Sequence, residues 1–96
     1  MFRRTTLAKV SAELRAAREE LTATEAQLAF LADEAADLRT RAMVTESPVD
    51  RREAEQAERA ADSTRRHRDR LAAQVARLTA QADDLLDTYA KDATPS

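Results

Sequence analysis

The densest chemistry in this chain is the run Arg65-Arg66-His67-Arg68-Asp69-Arg70, four arginines and the sequence's single histidine within six residues. Guanidinium groups at that density suit phosphate oxygens, an RNA backbone or an acidic protein face. His67 lies next to the expected helix seam, where protonation near neutral pH could alter a packed interface. Base recognition would want aromatic rings to stack on, and the run holds none. A solvated helix face laced with ion pairs accounts for it more simply, with the Glu20 to Glu25 stretch as the expected source of carboxylates. A second group, Glu46, Asp50 and Glu53, flanks Ser47-Pro48. Arg51 and Arg52 stand among those carboxylates.

Other chemistries are excluded by composition. The 96 residues contain no cysteine, which removes disulfides and thiolate metal sites, and one histidine leaves no imidazole cluster. They contain no glycine, so phosphate-cradling loops and the positive-φ turns of β-rich folds lose their usual residue. No catalytic, metal or cofactor site is expected, and the chain is read as not an enzyme. The net charge of -2 argues against a generic polyanion binder. No apolar stretch approaches the ~20 residues of a membrane span, and Met1-Phe2-Arg3-Arg4-Thr5-Thr6 precedes no signal-peptide core. A cytoplasmic protein is expected. Fourteen arginines against two lysines point to a high-GC, bacterial genome.

What must position these residues is a pair of helices. Leu7, Leu14, Leu21 and Leu28 are seven apart, and the apolar rhythm continues through Ala35 and Ala42. The companion positions hold Val10, Ala17, Thr24, Leu31, Leu38 and Thr45. A sustained seven-residue repeat keeps one seam of a helix against a partner, as in a coiled coil. The rhythm stops at Thr45-Glu46-Ser47-Pro48. Ser47 can cap a new helix, Pro48 suits its first position, and Asp50 stands where it could return the capping bond. A second seam then runs through Ala54, Ala57, Ala61, Thr64, Arg68, Leu71, Val75, Leu78, Ala82, Leu85 and Tyr89.

These signals predict an all-α fold: one antiparallel two-helix coiled-coil hairpin over residues 1–96, associating into a four-helix bundle. Helix 1 is expected over about 6–45 with Thr5 or Thr6 as its cap, a turn at 45–47, helix 2 over about 48–90 and a tail at 91–96. Pairing residues whose numbers sum to about 92 sets Leu7 against Leu85, Leu14 against Leu78 and Leu38 against Ala54. The same rule sets Thr24 against Arg68, a polar layer of the kind that fixes register. The end near the termini should be firm. The turn end, where leucine meets alanine, should be mobile.

The architecture resembles the helical hairpins that probe the secondary channel of RNA polymerase, such as transcript-cleavage factors of the Gre type. Their acidic tips help hold a catalytic magnesium, so the resemblance implies a working tip at Glu46, Asp50 and Glu53. Arg51 and Arg52 depart from that pattern. The leucine heptad behind Arg3 and Arg4 is also similar to basic-zipper DNA readers, but those need a longer basic helix.

The surface the seam leaves unexplained is Phe30, with Ala26 and Ala23 one and two turns before it and Ala12 and Ala16 further back. Met43, Val44 and Val49 form a second apolar spot near the turn. The expected function is therefore a non-catalytic protein–protein interaction module, an adaptor, assembly or regulatory subunit. Its partners would be a second copy of itself and another protein, held through Phe30, Ala23, Ala26, Met43 and Val44. The alternative is a nucleic-acid or nucleoprotein-machine binder that uses Arg65, Arg66, Arg68 and Arg70, or the turn.

Overall fold

The computed structural model describes residues 2–93, with side chains described from Thr6 to Asp92. Two helices make up the fold: α1, Phe2–Thr45, and α2, Pro48–Ala93. They form an antiparallel hairpin, and the described residues contain no strand. Both helices run past the expected bounds. α1 starts at Phe2, so Thr5 and Thr6 lie inside it rather than at its cap. Nothing between Phe2 and Leu7 breaks a helix, as no proline or glycine stands there. α2 likewise takes in residues 91–93 of the expected tail. Pro95 and the side chains of Arg3 and Arg4 lie outside the described residues.

The turn is two residues long, and neither is glycine. Glu46 takes a left-handed backbone, φ 56°, and its N–H donates to the carbonyl of Ala42 at 2.9 Å. This closes α1 in the manner glycine usually provides, here with the steric cost of a Cβ. Ser47 then caps α2: its carbonyl accepts the Arg51 N–H at 3.0 Å, and its hydroxyl accepts the Asp50 N–H at 3.4 Å. Asp50 does not return the bond to Ser47. Its carboxylate accepts the Thr45 hydroxyl at 2.7 Å, and Thr45 Oγ1 in turn accepts the Ser47 N–H at 3.2 Å. Thr45 is thus the relay that ties the last residue of α1 to the first turn of α2, and Asp50 also places negative charge at α2's N-terminus.

The hairpin divides into two compact units. The terminal unit comprises residues 1–21 and 70–96, and the turn unit comprises residues 22–69. In the terminal unit, Val10, Leu14, Ala17, Leu78 and Ala82 form a continuous buried cluster, with Leu7, Val75 and Leu85 packed on it. Leu71 is buried in the same unit. In the turn unit the buried residues are Thr24, Leu28, Ala35, Ala54 and Ala61. Every one of them is a predicted seam position. Leu31, Leu38, Thr64 and Arg68 are half-buried beside them.

Candidate functional site

The turn unit carries the candidate surfaces. Its seam offers few aliphatic side chains, so α1 and α2 bury little and leave large apolar residues outside. Phe30 is 68% exposed, Met43 74%, Val44 79% and Val49 58%. Ala23 and Ala26 are exposed as well. A helix position two residues past a seam leucine points away from the partner helix, which is why Phe30 cannot join the core. Around Phe30 lies a shallow depression bounded by Asp33, Glu34, Asp37, Leu38 and Arg41. The phenyl ring therefore stands in a predominantly acidic setting.

A second surface lies on the other side of α1. Its floor is Ala32, Ala35, Ala36 and Ala61, and it encloses about 250 Å³. Charged side chains rim it in opposite signs: Arg39 donates from Nε to Glu58 Oε1 at 2.6 Å across the two helices, and Arg65 pairs with Asp62 within α2. A neighbouring depression toward the turn shares Arg39 and Glu58 and is lined by Ala42, Met43 and Ala54. Sequence reasoning missed this groove. Ala32 and Ala36 stand four residues apart on one side of α1, and that spacing of small residues was the available signal.

The basic run is partly spent on its own helix. Arg65 pairs with Asp62, and Arg68 donates from Nε to Asp69 Oδ1 at 2.7 Å. Arg68 and His67 are half-buried, while Arg66 and Arg70 are exposed. Between residues 48 and 69 six arginines stand among six carboxylates, so this stretch of α2 presents no net positive charge. Such a balance gives a phosphate backbone little to bind. At the turn, Asp50 is engaged by Thr45, and no three acidic or histidine side chains among the described residues converge as a metal ion requires. No helix among the described residues is long and apolar enough to cross a membrane.

Every depression described here is open and shallow. Comparison with protein families, curated proteins and solved structures finds no match to this chain.

Proposed function

We propose that this chain is a non-catalytic coiled-coil interaction module, an adaptor, assembly or regulatory subunit that self-associates into a four-helix arrangement and holds another protein. The observation that carries the reading is that four large apolar side chains, Phe30, Met43, Val44 and Val49, face water in the unit with the poorer seam. Large apolar side chains left in water by a helix seam gain from a partner that covers them. Phe30 with Ala23 and Ala26 supplies a large anchor beside small residues, the pattern in which binding energy concentrates.

Sedimentation equilibrium at micromolar concentration tests this first. The expected mass exceeds the 10.7 kDa of a single chain. A clean single-chain mass with a sharp thermal transition would count against self-association. Phe30→Ala should then keep the helix content, since alanine is the better helix former. It should weaken whatever that face holds, a second copy or a different protein, by about 1–3 kcal/mol. Replacing Arg65 and Arg66 by Gln should matter far less to that contact. Loss of binding in the arginine variant, with Phe30→Ala intact and a steep fall of binding with salt, would transfer the function to a polyanion partner.

A further inference from the structure

Resting on the reading that the chain self-associates, we infer which face does it: two copies pair through the alanine-floored groove of the turn unit, leaving the Phe30 face for a different protein. Three features of that groove select a second copy as its occupant.

The first is charge. Arg39 and Arg65 stand on the rim with Glu58 and Asp62, so the patch holds both signs in equal number. With Arg39–Glu58 and Arg65–Asp62 paired within each copy, a two-fold contact sets a surface of balanced charge against itself without net repulsion. A partner of one strong sign would meet repulsion at half the rim. The setting of Phe30, with Asp33, Glu34 and Asp37 against Arg41, lacks that balance and would repel itself.

The second is a knob to match the hole. Met43 projects from α1 next to the groove and is 74% exposed. It stands three turns from Ala32, and the midpoint between them falls beside Ala36 and Arg39. A two-fold axis passing there, perpendicular to α1, lays the Met43 of each copy over the Ala32 region of the other. A flexible thioether fits an irregular groove well.

The third is close approach. Alanine at Ala32 and Ala36 lets two helix backbones come together without displacing larger side chains, and Ala36 is exposed in the single chain. The contact would also cover seam residues of the unit that buries least by itself.

The test compares Ala36→Glu with Phe30→Ala by sedimentation equilibrium, with helix content followed by circular dichroism. Ala36 faces water in the single chain and glutamate favours helices, so the hairpin itself should persist. The expected result is a dimer in the parent chain, a dissociation constant at least tenfold higher in Ala36→Glu, and a dimer unchanged within twofold in Phe30→Ala. A parent chain that stays single up to ~100 µM overturns both this inference and the proposed self-association. A dimer that Phe30→Ala weakens and Ala36→Glu leaves alone overturns the inference and spares the broader reading. The chain has no cysteine of its own, so a second measurement is clean: a cysteine replacing Ala36 should be joined across copies by a short thiol cross-linker, and one replacing Ala23 should not. Should Ala36→Glu lose helix content, the cross-link decides, and its failure at Ala36 overturns the proposal.

Discussion

The two units use the same seven-residue rhythm to different ends. The terminal unit fills its seam with Leu7, Val10, Leu14, Leu21, Leu71, Val75, Leu78 and Leu85. The turn unit has only Leu28, Leu31 and Leu38 of that size, and completes its layers with alanine, threonine and Arg68. Exposure runs the opposite way. Phe30, Met43, Val44 and Val49 lie outside the seam in the turn unit, against Leu86 in the terminal unit. The expected seam residue Tyr89 is also exposed there, because it stands one turn past Leu85, where packing against the buried cluster ends. One unit therefore spends its apolar surface on holding α1 to α2. The other leaves large side chains exposed outside the seam. A pattern that merely builds helices would not need to differ in this way from one unit to the other.

The largest effect that could break this comparison is expected in the terminal seam. Leu78 is 8% exposed within the buried cluster, so Leu78→Ala should cost about 2–4 kcal/mol, read as a shift in the urea midpoint. Leu38→Ala, at a half-buried layer with alanine opposite, should cost roughly half as much, because less surface leaves water there. Equal losses at both positions would show that the seam is uniform and the division false.

How much of this was legible in the sequence depends on which force decides each feature. Burial along both helices follows the heptad with few exceptions, because a period of seven fixes which positions face the partner helix. The turn was legible too, since Ser47-Pro48 both ends one helix geometry and starts the next. The chemistry inside the turn was not. A positive φ at Glu46 had no glycine to announce it, and Asp50 had two plausible partners at similar reach, Ser47 and Thr45. Within the basic run, Arg65 and Arg68 meet Asp62 and Asp69 on their own helix. Neighbours three residues away or adjacent in sequence compete well with a facing helix for long, flexible arginines. The groove over Ala32 and Ala36 escaped notice because alanine reads as helix propensity before it reads as a surface.

Smaller effects sharpen the account of the turn. Thr45→Val removes the hydroxyl that joins Asp50 and Ser47, and should cost about 1 kcal/mol in thermal or urea unfolding. Glu46→Gly should act in the opposite direction, stabilising the hairpin by about 0.5 kcal/mol. Relief of the Cβ clash at φ 56° there outweighs the added freedom of the unfolded chain. Destabilisation on that change would mean that the left-handed backbone at Glu46 is not the conformation the turn keeps. The smallest effect is expected from Arg39→Ala, whose side chain is 61% exposed in its pair with Glu58. A loss of a few tenths of a kcal/mol in the single chain is all such a pair usually contributes.

The most direct test of the division is amide hydrogen exchange on the parent chain, diluted until it is a single chain. Residues 10–21 and 71–82 should be the slowest to exchange. Residues 24–38 and 54–66 should exchange at least about tenfold faster, since local opening there exposes less apolar surface. Equal protection in the two units, or slower exchange in the turn unit, would contradict the claim that one holds the hairpin together while the other is kept for contact.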